Sequence, residues 1–129
     1  MALDLKDRKL VQVALTVRDL DRARTFYRDT LGLTLMFEAG TMLFFDIGGQ
    51  RLMVGLAEKP DQPIGGSTYI YFDAPDLPEL VSALKATGVE MVGNTETLQR
   101  TDTHELKLQF FKDPDGNRIG LMGMVVMAK

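Results

Sequence analysis

The sequence has no cysteine, one histidine (His104) and two serines (Ser67 and Ser82). Without cysteine there is no disulfide, no thiolate nucleophile and no zinc–thiolate site. With one histidine, and Ser82 in the middle of a helical pattern, nothing supports a nucleophilic triad. The chain also lacks excess charge of one sign. Its net charge is −3, with basic residues scattered, which argues against electrostatic capture of nucleic acid or anionic lipid. Long apolar runs are missing too. The longest, Ile119 to Ala128, is far short of a membrane span, and the opening MALDLKDRK is too polar for a signal peptide. The expectation is a soluble, cytoplasmic protein without nucleic-acid or membrane partners. What is present is ordinary globular composition: 129 residues, 45% hydrophobic and 26% charged. That suffices for one domain with a real core.

The chain repeats itself. QVALTVRDLDRARTFYRDTLGL, from Gln12, matches YIYFDAPDLPELVSALKATGV, from Tyr69. Each is an apolar strand, then Asp-Leu, then a helix, then glycine. Asp19 and Asp76 stand as N-caps, with Glu79 close to a capping-box position. Leu20, Ala23, Phe26, Tyr27 and Leu31 recur at helical spacing, as do Leu77, Leu80, Val81 and Leu84. Gly32 and Gly88 close the helices. Three strand-like runs follow each helix: 33–38, 41–47 and 51–57, then 89–93, 105–111 and 118–124. This gives two tandem βαβββ modules, about 10–57 and 68–124, joined by a Pro/Gly-rich linker at 58–67. The fold class is α+β, a curved mixed sheet around a cavity with helices outside. The apolar tail MGMVVMAK is expected to pack on the second module or at a dimer seam.

The hairpins predict which residues share a face. A two-residue turn at Gly48-Gly49 pairs Asp46 with Arg51, Phe44 with Met53 and Met42 with Gly55. The face of Leu43, Phe45, Leu52 and Val54 is then wholly apolar and carries the helix. Met42, Phe44, Asp46, Arg51, Met53 and Gly55 form a mixed face. A turn at Asp113-Pro114-Asp115-Gly116 would pair Phe110 with Ile119 and Gln109 with Gly120. Leu106, Leu108, Phe110, Ile119 and Leu121 would then be core. Glu105, Lys107, Gln109, Phe111, Arg118, Gly120 and Met122 would line the second mixed face. Glycine inside an apolar strand weakens pairing and packs nothing, so Gly55 and Gly120, at matching places on the two mixed faces, call for an explanation. The paired mixed faces suggest a ligand pocket.

VRDLDRARTFYRDTLGL and FFKDPDGNRIGLM resemble the two signature regions of the vicinal oxygen chelate superfamily, which includes glyoxalase I, bleomycin-resistance proteins and extradiol dioxygenases. The resemblance covers nearly the whole chain and implies the doubled fold, often as homodimers whose modules form U-shaped cavities. A closer resemblance, through FFDIGGQRLMVGL and HELKLQFFKDPDGN, is to small bacterial members with no settled role. In the superfamily's enzymes the first and last strands of each module supply His, Gln or Glu ligands to a divalent metal. On this chain those positions are Gln12 and Tyr69, then Gly55 and Gly120. One neutral amide, one phenol and two glycines are a poor ligand set, so no metal or other cofactor is expected.

The function expected is metal-independent, bleomycin-resistance-like binding of a small, largely apolar or aromatic molecule. Gln12, Phe44, Asp46, Met53, Gly55, Tyr69, Tyr71, Glu105, Lys107, Gln109, Gly120 and Met122 are the candidate binding residues, with the two glycines leaving room for the ligand. The alternative is a glyoxalase- or dioxygenase-type enzyme (a lyase, isomerase or oxygenase) acting on a small oxygenated metabolite, with Tyr69, Glu105 or His104 as acid or base. Asp113 and Asp115 read as a turn, since the full calcium-loop spacing is absent. Asp46 and Arg51 are expected to form a cross-strand ion pair.

Overall fold

The computed structural model describes residues 5–65 and 68–127. The linker's Gly66 and Ser67, the opening tetrapeptide and the last two residues of the tail lie outside the described residues. The chain forms two compact units, the second beginning at Lys59.

The first unit contains β1 (Gln12–Val17), α1 (Leu20–Arg24), β2 (Thr34–Ala39), β3 (Met42–Asp46) and β4 (Arg51–Leu56). Its sheet order is β1-β4-β3-β2, with β1 parallel to β4 and the other pairs antiparallel. Asp19 caps α1 as expected, its carboxylate accepting from Arg22 N–H at 3.0 Å. The helix widens into a π-helical segment over Thr25–Thr30, where Leu31 N–H donates to Phe26 C=O. Phe26 and Tyr27 are both buried there. Tyr27 packs 5.8 Å from the ring of Phe45. Leu15, Val17, Leu43, Phe45, Leu52 and Val54 complete the core on this side of the sheet. The β3–β4 register is the one the sequence predicts, from Asp46 opposite Arg51 to Met42 opposite Gly55. Gly48 and Gly49 have φ of 79° and 92°, the left-handed values a two-residue hairpin turn requires.

The second unit contains β5 (Ile70–Asp73), α2 (Leu77–Ala86), β6 (Met91–Arg100), β7 (His104–Lys112) and β8 (Arg118–Val126). Its order, β5-β8-β7-β6, repeats the first, with β5 parallel to β8. Leu77, Val81 and Leu84 of α2 are buried, and the helix packs on β7 and β8. Asp76 precedes α2 but makes no side-chain cap. The tail through Val126 is the end of β8, opposite His104. β6 runs well beyond the expected Gly93. Its outer part is an exposed, polar edge whose residues lack the apolar alternation that marks a strand.

The second hairpin corrects the predicted register by one residue. Lys112 pairs with Arg118, Phe111 with Ile119 and Phe110 with Gly120. The cause is the turn itself. The buried Asp113 carboxylate accepts from Asp115 N–H at 2.9 Å, and from the N–H and side-chain amide of Asn117, both at 2.8 Å. Asp113 N–H donates to Asn117 C=O. Asn117 thus belongs to the turn, not to the strand. On β8 the predicted faces hold, with Ile119 and Leu121 buried. On β7 they invert, so that Gln109 and Phe111 share the helix side with Ile119 and Leu121. Leu106, Leu108 and Phe110 share the helix-free side with Gly120 and Met122.

Candidate functional site

Each sheet has one face under its helix and one without. In the first unit the helix-free face holds Gln12, Ala14 and Thr16 from β1, Arg51, Met53 and Gly55 from β4, and Met42, Phe44 and Asp46 from β3. Phe37 of β2 lies opposite Phe44, and their rings stack at 4.4 Å and 16°. The expected Asp46–Arg51 ion pair does not form although the two are opposite in register. Arg51 Nε donates to Gln12 Oε1 at 3.0 Å, and Asp46 turns back to accept from Gly49 N–H at 3.2 Å.

The helix-free face of the second unit is aromatic. The rings of Tyr69 and Tyr71 meet Phe110 edge-on, at 5.6 and 5.7 Å. Tyr71 lies beside Gly120 across the parallel pair. A Cβ on Gly120 would fall 2.6 Å from Tyr71 Cδ2 and 3.2 Å from Phe110 Cε1. Glycine is therefore required for two rings of this chain to close over the backbone, and the space expected for a ligand is filled by Tyr71. Gly55 has a softer neighbour, Met53 Sδ, which a Cβ would approach to 3.2 Å. The outer side of the aromatic cluster is open, with Tyr71 51% exposed. Arg118 lies over the Tyr69 ring, 5.8 Å from its centroid, with Nη1 3.4 Å from the phenol oxygen.

The polar residues of β7 lie elsewhere. Gln109 is on the helix side and 2% exposed. Its Oε1 accepts from Thr95 Oγ1 at 2.7 Å, while its Nε2 donates to the carbonyls of Gly93 and Phe110. The β6–β7 register shifts between Val92 and Glu96. A bulge there frees backbone carbonyls, and Gln109 serves them. Glu105 binds Arg100 at 2.7 Å, and that hydrogen bond, with the nearby positive charge, holds its carboxyl below the usual range. Lys107 Nζ donates to Thr97 Oγ1. Glu105, Lys107 and Gln109 therefore do not share a face with Gly120 and Met122. His104, at the start of β7, has its Nδ1 2.7 Å from Thr103 Oγ1.

The two last strands can be aligned through their partners. Val13 lies opposite Leu52, Ile70 opposite Ile119, and each of Val13 and Ile70 stands six residues before its helix-capping aspartate position. In that frame Arg-Leu-Met-Val-Gly-Leu, from Arg51, matches Arg-Ile-Gly-Leu-Met-Gly, from Arg118. Gly120 is equivalent to Met53, and Gly55 to Met122. The glycines thus do not occupy matching places, as the sequence suggested. Each faces a methionine in the other repeat. Gly123 takes the place of Leu56, and a Cβ on Gly123 would lie 2.4 Å from the backbone of Ala74. Nothing in the composition marks that contact in advance.

The residues at the metal positions implied by the resemblance do not fit a divalent ion within either unit. Gln12 Oε1 already accepts from a guanidinium, the Tyr69 phenol has one beside it, and glycine brings no donor. Among the described residues, no three His, Cys, Asp or Glu side chains come together to hold a metal. Among the described residues no helix is long and apolar enough to cross a membrane.

Two βαβββ units, each with a parallel first–last strand pair, define an α+β fold of the glyoxalase type. The sequence matches the family model of the Glyoxalase/Bleomycin resistance protein/Dioxygenase superfamily over residues 9–121, and the chain belongs to that superfamily. Solved structures agree in fold. A superfamily member from Sphaerobacter thermophilus is 24% identical, with a TM-score of 0.73 over 89% of this chain and 96% of that one. One from Alicyclobacillus acidocaldarius is 21% identical, with a TM-score of 0.71 over 91% and 92%. A lactoylglutathione lyase from Agrobacterium tumefaciens is 21% identical, with a TM-score of 0.69 over 92% and 95%.

Proposed function

We propose that this protein binds a small, largely apolar or aromatic molecule without a metal, on the helix-free faces of its sheets. The observation that carries the reading is the ring cluster of Tyr69, Tyr71 and Phe110 over Gly120. At a position where the family resemblance would place a metal-binding carboxylate, this chain presents open aromatic surface. Aromatic faces with a few polar tips recognise flat apolar ligands by edge and stacking contacts. Met122 and Leu108 extend the apolar surface beside the rings. The reading includes a homodimer, to be tested by light scattering.

The test has two parts. Protein purified without chelator is analysed for metal content before and after incubation with Zn²⁺, Ni²⁺, Mn²⁺ and Fe²⁺. Retention of about one ion per chain through dialysis would overturn the metal-independent reading. Calorimetric titration with planar aromatic compounds then compares the wild type with Tyr71→Ala. Loss of one ring contact lowers affinity by up to about tenfold. An unchanged affinity would move binding away from the rings.

A further inference from the structure

The same residue type recurs beside the two first-strand positions, Gln12 and Tyr69. In the first unit Arg51 lies opposite Gln12 and donates to it at 3.0 Å. In the second, Arg118 takes the equivalent place beside Tyr69, 3.4 Å from its oxygen. Both arginines are half-buried on their strands. Neither has a carboxylate within 4.0 Å among the described residues, whereas Arg24, Arg28 and Arg100 are all ion-paired. The nearby acids are otherwise engaged. Asp46 accepts from its own hairpin, and Glu90 is paired with Lys112, the residue opposite Arg118. Asp73 lies beside Met122, about four residues along the strand from Arg118, or roughly 13 Å.

A half-buried guanidinium without a counter-ion is an anchor waiting for an anion, since its planar fork matches a carboxylate in two parallel hydrogen bonds. Each arginine is also steadied by a neighbour, the Gln12 amide in one unit and the Tyr69 ring in the other. We infer that the ligand is an aromatic or apolar acid, and that Arg51 and Arg118 are the groups that receive its carboxylate. One guanidinium per face balances one negative charge, which favours a monoanionic carboxylate over a dianionic phosphate. The inference rests on the binding reading above and adds the ligand's charge to it.

The experiment titrates the full-length protein calorimetrically with 1-naphthoate and with its neutral analogue 1-naphthamide, in the wild type, Arg51→Gln and Arg118→Gln. Side-chain Nε–H resonances of arginine are followed in parallel by NMR, and thermal midpoints check that each variant is folded. A charge-assisted pair predicts that naphthoate binds about tenfold or more tighter than naphthamide. The Nε–H signals of Arg51 or Arg118 should shift only with the acid. The acid-to-amide ratio should fall towards one in at least one variant. Equal affinity for acid and amide in the wild type would overturn the inference and leave aromatic binding intact. An acid preference that survives both substitutions would also overturn it, because the anion is then held elsewhere. Absence of binding by either compound would overturn the aromatic reading and this inference together.

Discussion

The two units are one design executed with different side chains, and their last strands show how. Arg-Leu-Met-Val-Gly-Leu and Arg-Ile-Gly-Leu-Met-Gly keep arginine first and the helix-side aliphatics second and fourth. On the other face glycine and methionine change places. The first unit fills the space above Gly55 with flexible thioethers, and the second fills that above Gly120 with two rings. A methionine can yield where a tyrosine ring against a phenylalanine cannot. The first face is thus the adaptable one and the second the shaped one.

The largest expected effect comes from adding a side chain at Gly123, where the first unit carries Leu56. Replacement by alanine sets a methyl group against the Ala74 backbone. Overpacking against main chain costs about 3 kcal/mol, visible as a drop of several degrees in the thermal midpoint. Leu56→Ala, at the equivalent position of the first unit, trims an exposed side chain and should cost about 1 kcal/mol. Next come the hairpins. Asp113→Ala strands the buried donors of the second turn and should cost about 2–3 kcal/mol in urea unfolding. Asp46→Ala, which removes one exposed bond to Gly49, should cost about 0.5 kcal/mol.

The swapped glycines come third. Gly120→Ala should cost about 1–2 kcal/mol by displacing Tyr71 and should weaken aromatic ligands. Gly55→Ala should cost less than about 1 kcal/mol, since Met53 can turn aside. Equal costs for the two would erase the contrast between an adaptable and a shaped face.

Acid sensitivity is the smallest effect. Hydrogen bonding to Arg24 holds the Glu38 carboxyl below its ordinary range, and Arg100 does the same for Glu105. A lowered value means that each bridge contributes fully above the unfolded carboxylate range and is lost as pH falls through the folded value. In carboxyl NMR titrations Arg24→Gln should raise the Glu38 midpoint alone, and Arg100→Gln that of Glu105 alone. A shift of both would mean that the bridges are coupled.

The doubled fold and the β3–β4 register could be read from the sequence because their signals are local: helix spacing, strand periodicity and a Gly-Gly turn. The β7–β8 register could not, because one side-chain pair, Asp113 with Asn117, draws an extra residue into the turn and flips β7. That flip explains why Gln109, polar and at a seemingly open position, lies buried in the service of a bulge. It also explains why Phe110, read as core, is part of the ring cluster. Arg51 and Arg118 were legible as mixed-face residues, but their places beside Gln12 and Tyr69 were hidden for another reason. They depend on parallel pairing across 39 and 49 residues, which no short window of sequence reveals.

That long reach has a kinetic consequence. The antiparallel strands of each unit fold back through short turns, while the first strand returns only after most of its unit has been made. Ordering so long a loop is slow and entropically costly. Each first strand is also held to its sheet by one neighbour alone. The long-range pairing of first and last strands at the candidate site is therefore expected to form later than the hairpins. A ligand spanning the first and last strands would act as a clasp, slowing amide exchange along β1 and β5 long before it altered the hairpins.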